Sequence, residues 1–151
     1  MGFETLSLKG RALRLLAQRE HTRSELAAKL ARHVQEGDDL QAVLDELEAK
    51  GFINEARVAE SLLHRRAPRL GTQRVLQEMR SKGVGEDTLR AAAQQLRETE
   101  SARALAVWQA KFGRVAETPE LRMKQMRFLA ARGFSAEVVR RVVRGEVDTD
   151  V

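Results

Sequence analysis

Catalysis by an acid, a base, a nucleophile or a bound metal needs side chains that converge, and histidines are the first place to look for them. The three histidines are His21, in a turn, His33, near a helix end, and His64, in an arginine-rich segment. No two have the four-residue helical spacing of a metal motif. They read as surface or cap histidines. Asp38-Asp39 lacks further oxygen ligands at loop spacing and reads as a helix cap. Gly83 and Gly85 flank a single residue and begin no phosphate-cradling loop. The chain has no cysteine, which excludes disulfides, thiol catalysis and thiolate metal sites and fits a reducing cytoplasm. Trp108, Phe112, Phe128 and Phe134 could stack on bases, but their spacing matches helix cores. Neither enzyme chemistry nor a cofactor is expected.

Charge is the remaining chemistry. Residues 1–50 carry 8 basic and 9 acidic side chains, residues 51–100 carry 9 and 7, and residues 101–151 carry 10 and 6. Between His64 and Lys82 stand Arg65, Arg66, Arg69, Arg74, Arg80 and Lys82 against the single acid Glu78. Between Arg122 and Arg144 stand Arg122, Lys124, Arg127, Arg132, Arg140, Arg141 and Arg144 against Glu137. Such clusters favour a polyanion or an acidic protein surface as partner, although any one arginine can equally be a solvated side chain on a surface. No apolar run approaches a membrane span and no secretory core is present, so a soluble cytoplasmic protein is expected.

The elements that must carry these charges are helices. Ala, Leu, Arg, Glu and Gln dominate, the chain has no Tyr, and no strand-like alternation persists. A first helix is expected over Leu6–Arg19, with Leu6, Leu8, Ala12, Leu13, Leu16 and Ala17 apolar. Thr22-Arg23-Ser24-Glu25 has the pattern of a capping box for a second helix reaching about Val34. Asp38-Asp39 caps a third, through Leu40, Val43, Leu44 and Leu47, and Asn54 caps a fourth that Pro68 ends near Arg66. Gly71-Thr72 starts a fifth, with Thr72 as cap, stopped by Lys82-Gly83-Val84. A sixth carries Leu89, Ala92, Ala93 and Leu96; a seventh begins near Ser101 and carries Leu105, Trp108 and Phe112. Thr118-Pro119 opens an eighth with Met123, Met126 and Leu129 on its core face, and Ser135 opens a ninth with Val138, Val139, Val142 and Val143.

Four columns of apolar residues recur about every 50 positions: Leu30, Met79 and Leu129; Leu40, Leu89 and Val139; Val43, Ala92 and Val142; Leu44, Ala93 and Val143. The stop Lys82-Gly83-Val84 also returns as Arg132-Gly133-Phe134. The fold class expected is all-α, three tandem three-helix repeats forming an elongated, possibly curved array. The units fall at 1–51, 52–98 and 99–145, and 146–151 is expected to be a frayed tail.

In this order and spacing the segments resemble the RecX family, regulators of the RecA recombinase. The residues that carry the resemblance are Ala12-Leu13 to Leu16, Arg19, Thr22-Arg23-Ser24-Glu25-Leu26 and Lys29-Leu30 in the first unit. Val43 to Leu47, Gly51-Phe52-Ile53-Asn54-Glu55 and Ala59 follow. Gly71, Arg74 to Met79, Lys82-Gly83-Val84, Phe128-Leu129 and Arg132-Gly133-Phe134-Ser135 complete it. There are two departures. Val58 replaces an expected aromatic, and the first unit has His33-Val34-Gln35-Glu36-Gly37 where the others have a basic-glycine-apolar stop.

The resemblance implies a monomeric, non-catalytic protein that binds the RecA filament on single-stranded DNA and lies in its groove. It would limit filament growth, and with it strand exchange and repressor co-cleavage, placing the chain in the regulation of homologous recombination and the SOS response. Arg65, Arg66, Arg69, Arg74, Arg80 and Lys82, with Arg132, Arg140, Arg141 and Arg144, are the candidate contacts to filament and DNA, the DNA contact being weak and non-specific. Two rival readings stand: a helix-turn-helix DNA-binding protein with the fifth or ninth helix in a groove, and a helical-repeat adaptor.

Overall fold

In a computed structural model, residues 6–147 are described. They form α1 (Leu8–Gln18), α2 (Arg23–Leu30) with a 3-10 turn (Ala31–His33), α3 (Leu40–Ala49), α4 (Glu55–Arg66), α5 (Thr72–Ser81), α6 (Glu86–Lys111), α7 (Pro119–Ala131) and α8 (Ala136–Val143). Side-chain caps start most of them where expected. Thr22 and Glu25 form the reciprocal capping box of α2, and Asp39, Asn54, Thr118 and Ser135 accept from the backbone amides of Ala42, Arg57, Leu121 and Val138.

Three separate cores follow one another along the chain. The first gathers Leu8, Ala12, Leu26, Leu30, Leu44, Leu47 and Ile53. The second is built on Val58, Leu62, Val75, Leu76, Met79, Leu89 and Leu96, and the third on Leu105, Trp108, Leu129, Phe134, Val139, Val142 and Val143. An accessible surface of 10015 Å², against roughly 7,700 Å² for a compact globule of this mass, is that of an elongated array of small cores.

Several expectations need correction. The sixth and seventh helices are one, the 26-residue α6. Arg97-Glu98-Thr99-Glu100 contains no breaker, and Glu100 and Arg103 turn their polar ends onto the α4–α5 loop, so nothing stops the helix at Ser101. Leu89, Ala92, Ala93 and Leu96 of α6 belong to the second core, and Ala104, Leu105 and Trp108 to the third. The expected boundary at residues 98 and 99 therefore falls within a continuous helix.

Thr72 does not cap α5. Gly71 occupies the cap position, Thr72 is buried, and the Thr72 amide donates to Oε1 of Glu100 at 3.0 Å. The same device starts α6, where the Gly85 amide donates to Glu55 Oε1 at 2.7 Å. A glycine has no side chain to cap its own helix, so a carboxylate from another helix satisfies the amide.

Leu6 and Met123 are exposed, at 40% and 49%. On α7 the buried positions are Leu129 and Gln125, and Gln125 accepts from Trp108 Nε1 at 2.9 Å and donates to the Arg114 carbonyl at 3.1 Å. His21 is buried: its Nδ1 lies 3.0 Å from the Arg19 carbonyl and its Nε2 2.9 Å from Lys29 Nζ. Burial lowers its pKa. The tail expected to fray from Gly145 is held as far as Val147: the Glu146 amide donates to the Arg141 carbonyl at 2.9 Å, and Val147 packs on the third core. Residues 148–151 lie outside the described residues.

Candidate functional site

The units join end to end through the second helix of each. At the first junction the carboxyl end of α5 meets the amino end of α2: the Thr22 hydroxyl donates to the Lys82 carbonyl, and a Cβ at Gly83 (φ +91) would strike Ser24. At the second, the carboxyl end of α7 meets the amino end of α5. The Gly71 amide donates to the Arg132 carbonyl at 2.8 Å, and a Cβ on Gly71 would run into Gly133 and Phe134 backbone. Gly133, also at φ +91, leaves no room for a Cβ beside Arg74. Each recurrent basic-glycine stop is thus also the surface that receives the preceding unit. Carbonyls at one helix end face the positive amino end of the next, so the dipoles reinforce one another. The first unit lacks the stop at the end of α2, and among the described residues no further unit packs there.

This stacking sorts the candidate basic residues. Arg69 of the α4–α5 loop and Arg132 at the end of α7 line one hollow of about 370 Å³ with Lys111, over Val107 and Phe128. The Arg132 guanidinium lies 4.8 Å and Lys111 Nζ 5.5 Å from the Phe128 ring centre, and Phe112 meets that ring edge-on at 5.4 Å. Arg74 reaches across the junction to the Ala131 carbonyl at 3.4 Å. Trp108 and Phe134 are buried and do not form a stacking surface.

Arg66 is committed elsewhere, gripping Glu78 through Nε at 3.0 Å and Nη2 at 2.8 Å. The pair raises the pKa of Arg66 and lowers that of Glu78. Lys82 lies 3.7 Å from Glu25 at the first junction. Arg65 and Arg80 are exposed, in the last turns of α4 and α5. Arg140, Arg141 and Arg144 are exposed on and just after α8. The structure therefore brings Arg69 and Arg132 to one hollow, sets Arg74 across the same junction, and divides the others among separate surfaces.

Sequence reasoning missed two features. Lys111 completes the hollow but belongs to neither linear cluster; its position three residues after the core residue Trp108 is the only local cue. Arg103 donates to the Ala67 carbonyl at 2.9 Å and to the Leu70 carbonyl, tying α6 to the loop that carries Arg69. Burial lowers its pKa, with Glu100 opposing.

Among the described residues, no group of three or more His, Asp and Glu side chains is arranged to hold a metal, and no helix is long and apolar enough to cross a membrane. Nor is α5 placed to enter a DNA groove, since its first residues, Gly71 and Thr72, are buried against α7 and α6.

Three family models match in tandem: the first three-helix domain of RecX over residues 9–47, the second over 54–92 and the third over 98–143. The chain belongs to the RecX family. It is 49% identical over 145 residues to a regulatory protein RecX of Herminiimonas arsenicoxydans, covering 96% of each chain. It is 50% identical over 139 residues to one of Leptothrix cholodnii, covering 92% of this chain and 88% of that one. In fold it is similar to the crystal structure of RecX from Lactobacillus salivarius, with a TM-score of 0.76 over 92% of this chain and 94% of that one, at 16% identity. Another crystal structure of a regulatory protein RecX gives a TM-score of 0.73 at 24% identity, over 89% of this chain and 70% of that chain. The RecX family has the three tandem three-helix units expected from the sequence.

Proposed function

We propose that this chain is a non-catalytic, cytoplasmic, monomeric regulator that binds the RecA filament on single-stranded DNA, lies in its groove and limits its growth. Strand exchange, ATP hydrolysis and repressor co-cleavage would fall together. The units at 1–51, 52–98 and 99–145 act as successive footholds along the filament, so modest contacts add up through linkage. The observation that carries the reading is the meeting of Arg69 with Lys111 and Arg132 around an apolar hollow at the second junction, where Arg74 also reaches across to the Ala131 carbonyl. A surface of this kind, whose lining has no Asn or Gln to read adenine, fits a repeating protein–phosphate lattice. Contact with bare DNA would be weak, non-specific and screened by salt.

The test is ATP hydrolysis by a RecA filament on single-stranded DNA with this protein added below one molecule per recombinase. Hydrolysis should decline at such ratios. Replacing Arg69, Arg74 and Arg132 by Gln should weaken the inhibition about tenfold or more and flatten its dependence on salt. Undiminished hydrolysis at excess, together with tight binding to bare DNA, would overturn the proposal in favour of a DNA-binding protein acting alone.

A further inference from the structure

The first unit appears neutral when its charges are counted, with 8 basic and 9 acidic side chains in residues 1–50, yet the fold separates them. Lys9 and Lys50 share Glu46, Arg19 holds Glu25, and Arg23 holds Asp45 and Glu48, all at 2.7–2.9 Å. The four remaining cations, Arg11, Arg14, Lys29 and Arg32, line one hollow of about 510 Å³ between α1, α2 and the 3-10 turn. None of the four lies within 4.0 Å of a carboxylate among the described residues. Arg14, Lys29 and Arg32 are exposed. The lining also includes Leu6, 40% exposed, and the half-buried Leu15 and His33, with no acid and no Phe, Tyr or Trp.

We infer that this hollow is a docking groove for an acidic peptide segment carrying aliphatic side chains, supplied by a protein partner. Charge complementarity favours an anion, because four like charges have been gathered with no counter-charge among the described residues within 4.0 Å. The floor then selects the kind of anion. A nucleic-acid strand on such a surface would want a Phe, Tyr or Trp platform for its bases, where the hollow offers only His33, and would leave Leu6 and Leu15 uncovered. A peptide with Glu or Asp on one edge and Leu or Ile on the other satisfies rim and floor together. The inference stands apart from the recombinase reading, since it concerns the unit farthest from Arg69 and Arg132 and names only the chemistry of the segment.

Fluorescence anisotropy of the full chain with a fluorescein-labelled peptide of Glu and Leu at helical spacing tests it. A Glu/Gln peptide of the same charge and an oligo-dT strand serve as comparisons. The Glu/Leu peptide should bind, and the Glu/Gln peptide should bind at least about tenfold more weakly. R14E and R32E should each weaken Glu/Leu binding about tenfold, whereas R97E, the same charge change on the exposed surface of α6, should not. Circular dichroism checks that each variant is folded, and R14Q with R32Q gives a milder second pair. Equal binding of both peptides, equal loss with R97E, or a preference for oligo-dT at the same residues would overturn the inference. So would concentration-dependent self-association abolished by R14E, which would make the occupant a second copy of this chain. No recombinase enters this assay, so its failure leaves the filament proposal untouched, and the reverse holds too.

Discussion

The two junctions between units use one geometry and different chemistry. At the second, backbone meets backbone: the Gly71 amide bonds the Arg132 carbonyl, Gly71 and Gly133 leave no space for a side chain, and α6 runs unbroken through both cores. At the first, side chains carry the contact. The Thr22 hydroxyl bonds the Lys82 carbonyl, Glu25 faces Lys82, and the chain crosses from α3 to α4 through the short Lys50–Asn54 link. Backbone contacts braced by a continuous helix have one arrangement, whereas a hydroxyl, an ion pair and a loop can yield. The second and third units should behave as one body and the first as a movable arm.

The largest effects should come from filling the glycines. Gly71→Val would force apart two backbones, and we expect a loss of about 3 kcal/mol or more of unfolding free energy in urea. Gly83→Val at the first junction meets a side chain on a short helix and should cost less, about 2 kcal/mol, chiefly from the positive φ. Equal losses would remove the distinction between the junctions.

Polar contacts come next. Glu100→Ala strips the buried Thr72 amide of its acceptor and leaves Arg103 without its acidic neighbour, which should cost about 2 kcal/mol. Thr22→Val deletes the cap of α2 together with the bond to Lys82 and should cost about 1 kcal/mol. In native-state hydrogen exchange, T22V should speed the amides of α1–α3 alone, while E100A should speed those of both the second and third units.

The smallest effect is that of pH. Burial favours the neutral form of Glu25, but the Arg19 hydrogen bond, the Thr22 amide and the Lys82 charge outweigh it and hold its pKa below the ordinary 4.5. Its stabilisation is therefore present above the ordinary carboxylate range and is lost as pH falls through the lower folded value. Acidification should loosen the first junction by a few tenths of a kcal/mol and leave the Gly71–Gly133 contact unchanged. Exchange rates of the Thr22–Glu25 amides against those of Gly71 and Gly133, which bond to backbone carbonyls, between neutral pH and pH about 3 would reveal it, with Glu25→Gln abolishing the difference.

Much of this molecule is local, and what is local is legible in the sequence. The caps Thr22, Asp39, Asn54, Thr118 and Ser135 act within three residues of themselves, and the 50-residue recurrence of Leu30, Met79 and Leu129 marks three fully buried positions. The stops at Gly83 and Gly133 adopt the left-handed backbone that such endings require.

Tertiary structure decided what depends on a partner distant in the chain. Ser101 reads as a helix start until Glu100 and Arg103 are found bonded to the α4–α5 loop, and Thr72 reads as a cap until Glu100 takes that task. Arg66 and Arg69 are indistinguishable in sequence, yet one is locked to Glu78 and the other lines an open hollow. Arg11, Arg14, Lys29 and Arg32 vanish into a neutral count until folding pairs every other cation of their unit and leaves these four side by side. Hydrogen bonds and ion pairs act over a few ångströms in space, while residue order reports separation along the chain. Local signals therefore specify the helices, and only their packing determines which charges remain for a partner.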